Sequence, residues 1–390
     1  VASFVGATTV RIHEMGYADR DPTAQELGRM LQLVREAMRQ GAVGLSSSLP
    51  YIPAPFASSE ELIALAGAAA EYDGMYISHI RNEGDQIFAA LDEFLTIVRE
   101  SGVRGEIYHL KVSLQRNWDK LDAVVARIEA ARAEGLAVGA DIYTYNASST
   151  GLNYDLPTWV KQGDHDERIK RLRDPAVRER VIAETEMIPA EDILLVSFRS
   201  EGLRHLTGKT LAEVAEMRGT SAVETAMDLI IEDDSRVGTV RFTMSEENIR
   251  KKIALPWVSF CSDSASIAPE PPFTNSQPHP RAYGSFARLL GKYVREEKVI
   301  SLEEAIHRLT GLPAGNLKLD GRGKLTLGYH ADVVIFDPEL IIDQASFEQP
   351  HQLATGMLHV FVNGEQVLRN GVHTGATPGR FVKGPGWVEK

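Results

Sequence analysis

Between Ala24 and Tyr143 the chain alternates between two hydrophobic periods, and that alternation constrains its fold more than any other feature. "AQELGRMLQLVREAMRQG" puts Leu27, Met30, Leu31, Val34 and Met38 on one helical face and stops at Gly41, a residue suited to a helix C-cap. The short strand "AVGLSSSL" follows. "SSEELIALAGAAAEYDG" opens with Ser58 and Ser59 ahead of Glu60 and Glu61, the pattern of a capped helix start. Strand "MYISHI", helix "DQIFAALDEFLTIVRESG", strand "GEIYHLKV", helix "DKLDAVVARIEAARAEG" and strand "AVGADIYTY" extend the series. Units of about thirty residues predict a parallel sheet with helical crossovers.

The register of polar residues narrows this to a barrel. His79 and His109 lie 30 residues apart and Asp141 lies 32 beyond His109, each towards the C-terminal end of its predicted strand. In a (β/α) barrel those ends build the active site, so the three side chains converge on one mouth. A doubly wound sheet has no need of histidine twice in register. Neutral imidazole is a common zinc ligand, and a catalytic zinc site keeps a position open for water. His79 and His109 are therefore candidate metal ligands.

Asp263 ends a later strand, "WVSFCSD", and can bind a metal or act as general base; an N-cap role explains it equally well. Lys111 shares a strand face with His109 and can reach an anionic substrate, although a solvated strand-end lysine is the commoner case. Arg281, in the Pro- and Ser-rich segment "SASIAPEPPFTNSQPHPRAYG", suits bidentate capture of a carboxylate, although loop arginines are mostly idle. Three readings compete: a metal-dependent hydrolase, a metal-free lyase or isomerase, and a non-catalytic binding barrel. Bound zinc separates the first from the others. No G-x-S-x-G elbow follows a strand, which excludes a serine hydrolase of that type.

From Gly151 to Ser245 the periodicity is broken. "ILLVSF" and "VGTVRFT" read as strands, and "TWVKQGDHDERIKRLRDPAVRERVIAE" as a helical insertion. The helices "SFARLLGKYVRE" and "SLEEAIHRLTGLPAGNL" close the barrel unit, residues 1–320. From Gly321 the chain changes character: "GKLTLGYHADVVIFDP", "GMLHVFVNGEQVLRNG" and "GRFVKG" read as short strands with Gly turns. Residues 321–390 are thus expected to form part of a small β module. The expected class is α/β, a TIM-like barrel with an appended β module.

A net charge of −12 argues against nucleic acid or anionic lipid as partner. One cysteine, Cys261, excludes an internal disulfide and suits a reducing compartment such as the cytoplasm. No apolar run reaches the ~18 residues of a membrane span.

The strings "SHIRNEG", "YHLKVS", "ADIYTYNASSTGL", "CSDS", "HPRAYGSFARLLGKYVRE", "SLEEAIHRLTGLPAGNL", "GRGKLTLGYHADVVIFDP" and "GVHTGATPGR" occur in this order along nearly the whole chain. Together they resemble the N-acyl-D-amino-acid deacylases of the amidohydrolase superfamily. The resemblance implies that His79 and His109 hold a catalytic zinc, one of one or two ions. It implies that Asp263 activates water and protonates the leaving amine. It also implies that Lys111, Tyr143, Ser149 and Arg281 bind the carboxylate of an N-acyl-D-amino acid; Tyr143 and Ser149 come from the resemblance alone. A cyclic-amide hydrolase of the same architecture is the nearest alternative.

The chain departs from the pattern in three places. Thr144 stands where the family has proline, and the loop between Asp263 and Arg281 is longer. The H-x-H strand that family members carry first does not precede Val1, and His13 stands alone. The expectation is a barrel incomplete at its first strands, with the remaining zinc ligands upstream. Two histidines being too few for a closed site, weak zinc binding is expected of the 390 residues.

Overall fold

A computed structural model describes residues 1–389. In chain order its strands are β1 (Val5–Gly6), β2 (Gly44–Ser48), β3 (Met75–His79), β4 (Arg104–Ile107), β5 (Val138–Ile142), β6 (Ser148–Gly151), β7 (Ile193–Ser197), β8 (Gly238–Arg241) and β9 (Val258–Phe260), followed by β10 (Val333–Phe336), β11 (Met357–Val362), β12 (Glu365–Arg369) and β13 (Val372–His373). A six-stranded parallel sheet runs β1-β2-β3-β4-β5-β9. Every residue of β3 and β5 is buried, as expected for parallel strands covered by crossover helices. Those helices dock through faces set by the predicted period: Met30, Val34 and Met38 all sit in the main core.

Register places the site. Ser48 pairs with His79, and Ser78 with Ile107, so β2, β3 and β4 finish nearly level. Ala140 pairs with Val258 and Ile142 with Phe260, which brings the exit of β9 beside that of β5. The strand-end residues therefore share one face of the sheet although up to 184 residues separate His79 from Asp263.

The broken region folds as a unit with its own core, built around Leu152, Leu195, Leu211 and Leu229. Its sheet, β6-β8-β7, is antiparallel and separate from the large one. Both predicted strands there are present, but β6 was not anticipated, because Ser-Ser-Thr-Gly has no apolar alternation and Thr150 is its one β-branched residue. In the C-terminal module, β10 to β13 form an antiparallel sheet. Two expectations need correction. "GRFVKG" is not a strand; Phe381 packs its ring near Trp387, and Gly384 bonds back to Gly41. The helix expected over "SLEEAIHRLTGLPAGNL" breaks at Thr310 into Leu302–Leu309 and Gly311–Asn316.

Buried polar groups at the sheet have specific partners. Arg308 is fully buried and donates to the carbonyls of Val258 and Ile253, at 2.6 and 2.5 Å. Glu106, on β4, is 5% exposed and accepts from Ser259 Oγ at 3.2 Å. Gly139 makes room for it: a Cβ there would lie 2.5 Å from Glu106 Oε2. Burial, reinforced by the nearby Asp141, pushes Glu106 up to about 8 from its ordinary 4.5. The folded protein then holds a proton that the unfolded chain releases at lower pH, so this group's contribution falls as pH rises from 4.5 through about 8. Glu106→Gln should match the parent near pH 5 and be more stable at pH 8. Urea midpoints at the two pH values check this; the same pH dependence in both proteins would show that Glu106 is not the source.

Candidate metal centre and active site

The site is built where β3 ends. Past His79 the chain turns sharply, and each charged or polar residue of the turn has its own task. Arg81 holds both carboxylate oxygens of Glu93 at 2.8 Å and the carbonyls of Pro55 and Ala57. The Asn82 side chain accepts from the backbone N–H groups of Gly84 and Gln86, at 2.9 and 3.0 Å, closing an Asx turn. Between these anchors Glu83 folds back beneath the strand end.

There it meets both histidines. The rings of His79 and His109 stand edge to face with centroids 4.6 Å apart. Glu83 Oε2 lies 3.5 Å from His79 Nε2, and its Oε1 lies 3.1 Å from His109 Nδ1 and 3.0 Å from Lys111 Nζ. One ligand atom from each of His79, Glu83 and His109 falls within 4.8 Å of the others. Burial pushes His79 down to about 3, so its ring is neutral and free to donate a lone pair. Burial alone would raise Glu83, but the Lys111 ammonium beside it and the contact with His109 outweigh it and hold the carboxyl well below the usual range. His79 Nε2 is buried with no hydrogen-bond partner. A neutral imidazole with an orphaned nitrogen, a second imidazole and an ionised carboxylate match the donor set of a three-ligand catalytic zinc.

Neighbouring groups fix this geometry. His109 lies two residues beyond β4 with φ of 35°, a conformation that L residues adopt at a cost. The Asp141 carboxylate accepts its backbone N–H at 2.7 Å. The next peptide is held from the other side: Lys252, 2% exposed, donates to the Leu110 carbonyl at 2.7 Å. Burial pushes the Lys252 amine down to about 7.

Asp263 follows β9 with φ of 48° and faces the same cleft. It does not join the His79–Glu83–His109 cluster; its Oδ2 pairs with Arg281 Nη1 at 2.8 Å. Arg281 stacks over the Tyr143 ring, 4.5 Å to the centroid, and its Nε is buried without a partner. Its backbone N–H donates to His279 Nδ1 at 3.0 Å, so the proton on His279 is on Nε2, which donates to the Ala147 carbonyl at 2.9 Å. Lys111 Nζ stands 5.6 Å from the Tyr143 centroid. The Ser149 hydroxyl donates to the Thr239 carbonyl at 2.9 Å.

A cleft of about 1540 Å³ is lined by His79, His109, Lys111, Tyr143, Ser149, Asp263 and Arg281 together. Glu83 lines it too and is the residue that sequence reasoning missed. Beside the two histidines, Glu83 thus offers a third donor from this chain. His13 stays on the surface beside Glu14. Also unforeseen is the buried pair Arg241–Asp155, at 2.6 Å, in the cleft wall.

Comparison with known proteins agrees with this geometry. The N-acyl-D-glutamate deacylase of Alcaligenes xylosoxydans xylosoxydans is 35% identical over 364 residues, covering 93% of this chain and 66% of that protein. Among solved structures, the N-acyl-D-glutamate deacylase from Bordetella bronchiseptica, complexed with zinc and a phosphonate mimic of the tetrahedral intermediate, superposes with a TM-score of 0.79. It is 33% identical, with 94% of this chain and 68% of that one covered. A D-aminoacylase described as defining a novel subset of amidohydrolases gives a TM-score of 0.81 at 32% identity, with coverages of 98% and 71%. This chain thus spans about two thirds of the length of these relatives. Residues 5–368 match the amidohydrolase family as a whole, and the chain belongs to that family.

Proposed function

We propose that the chain carries the core of a zinc-dependent hydrolase that cleaves linear N-acyl-D-amino acids into a D-amino acid and a carboxylate. The observation that carries this reading is the convergence of His79, Glu83 and His109 with the Asp263–Arg281 pair in one cleft. His79, Glu83 and His109 would hold the zinc, which when bound supplies Lewis acidity towards an acyl carbonyl and lowers the pKa of water. The relatives support both the metal and the substrate class, since one was solved with zinc, two are named N-acyl-D-glutamate deacylases and one a D-aminoacylase.

The remaining steps belong to side chains. Asp263 takes a proton from the attacking water and returns it to the amide nitrogen as the C–N bond breaks. Its partner Arg281 holds Asp263 through Nη1 alone, and the rest of its guanidinium edge suits the α-carboxylate of the substrate. Lys111 adds a second cation over the Tyr143 ring. Tyr143, buried and pushed up in pKa by that burial, remains a neutral phenol. Anchoring the carboxylate there orients the amide towards the donor cluster. Hydantoin or dihydropyrimidine rings offer no such carboxylate, which disfavours the cyclic-amide alternative. No helix of the described residues is long and apolar enough to cross a membrane. The free Cys261 fits a reducing compartment such as the cytoplasm.

Zinc titration of the chelator-stripped protein should reach about one tight equivalent per chain. Because loss of an outer-shell partner alone costs roughly 10- to 100-fold in metal affinity, Glu83→Ala should weaken binding by at least about 100-fold; undiminished affinity in that variant would remove Glu83 from the ligand set.

Asp263→Asn should retain zinc while kcat falls by roughly 100- to 10,000-fold. Arg281→Ala should raise KM and also lower kcat, since it strips Asp263 of its partner. Steady-state kinetics on N-acetyl-D-amino acids read both, and a near-normal kcat in Asp263→Asn would reject the proton-transfer role.

A further inference from the structure

Beyond the Tyr51 and Tyr154 rings that wall the catalytic cleft lies a second cavity of about 280 Å³. Its floor is aliphatic: Leu156, Val160, Ile169, Leu172 and Ile230, each no more than 6% exposed. Its rim is cationic. Lys161, Arg168 and Arg236 all line it, and none forms an ion pair with a carboxylate among the described residues. The Lys161 amine makes one hydrogen bond, to the Tyr154 carbonyl at 2.8 Å, which leaves two N–H groups unspent. Burial, only partly offset by the Asp155 carboxylate, pushes that amine down to about 8. His165, also on the rim, is already engaged through Nε2 with Asp234 at 2.9 Å.

These features select a ligand class. A cavity just under the ~300 Å³ lower end for drug-sized ligands excludes a coenzyme or a peptide. An apolar floor excludes inorganic anions as the natural occupant, and three cations with no ion-pair partner among the described residues exclude a neutral hydrocarbon. We propose that this cavity binds a medium-chain aliphatic carboxylate, its chain against Leu156, Val160, Ile169, Leu172 and Ile230 and its head on Lys161, Arg168 and Arg236. Released acyl product has this chemistry, and so does a free fatty acid of other origin. Only the first source rests on the function proposed above. An occupant would touch Tyr51, whose ring meets His79 edge-on with centroids 5.6 Å apart, so it lies one side chain from the metal-binding donors.

Calorimetric titration of octanoate into the zinc-loaded protein tests the site directly, without reference to turnover. Binding should tighten roughly fourfold per added methylene from butanoate to octanoate, and octan-1-ol should bind at least tenfold more weakly than octanoate. Lys161→Met, and separately the exposed-rim variant Arg236→Gln, should each weaken octanoate at least tenfold with circular dichroism unchanged. No heat at millimolar octanoate, or an affinity that neither variant moves, would overturn the proposal. In turnover, octanoate should lower kcat with little change in KM. A purely competitive pattern would locate it in the catalytic cleft and overturn the proposal equally. Progress curves that slow with N-octanoyl but not N-acetyl substrates identify the product as the ligand; unslowed curves with octanoate still bound at the rim identify a fatty acid of other origin. Binding without detectable hydrolysis would leave the cavity assignment intact and count against the functional reading alone.

Discussion

The carboxylate of Glu83 is the group on which the rest of the centre depends. It lies within 3.5 Å of His79, His109 and Lys111 alike, and it is nine-tenths buried. A buried carboxylate without compensation is costly, and in proteins such groups are paired or bound to metal. Lys111 meets that need as the structure stands, at 3.0 Å. A divalent cation between the two imidazoles would meet it more strongly, so metal binding and the position of Lys111 are linked through one pair of oxygens. The same linkage joins the donor cluster to the cationic wall of the cleft, since Lys111 also lies over Tyr143, the ring on which Arg281 stacks.

That cluster is precise because its backbone is held from several sides. Parallel strands end in loops, and a loop alone does not fix a side chain to within a fraction of an ångström. Here Asp141 grips the N–H of His109 from β5, Lys252 grips the following carbonyl from the helix Glu246–Ile253, and His279 links the start of the Arg281 helix to Ala147. His109 and Asp263 both adopt positive φ outside glycine. Such conformations persist only when the surroundings over-determine them, and for His109 the bonds from Asp141 and Lys252 are the over-determination.

The parallel sheet, the convergence of its strand ends and the C-terminal module were legible in the sequence because each rests on periodicity. The large helices followed from a 3.6-residue pattern and recognisable caps, and the βα repeat placed two histidines in register. Glu83 was not legible. It stands four residues past His79 in what reads as a charged solvent loop, and nothing in its spacing says that the chain doubles back. The information sits in Asn82, whose side chain closes the turn locally, and in Arg81, whose partners Glu93, Pro55 and Ala57 are tertiary. β6 was missed for a related reason. Its four residues carry no pattern of their own and become a strand only because β8 offers a paired edge.

The cleft also sets a condition on any anionic substrate. Its principal cations are already paired: Lys111 with Glu83, Arg281 with Asp263, and Arg241 with Asp155. An incoming carboxylate therefore gains little from net charge and must be recognised by the donors left over. Arg281 holds Asp263 through Nη1 and keeps Nε buried and unspent. Because the guanidinium is planar with donors on separate edges, it can bind a carboxylate without releasing Asp263. The group that would orient the substrate thus also holds the group that would move the proton, so seating of the carboxylate and placement of the base are coupled through Arg281.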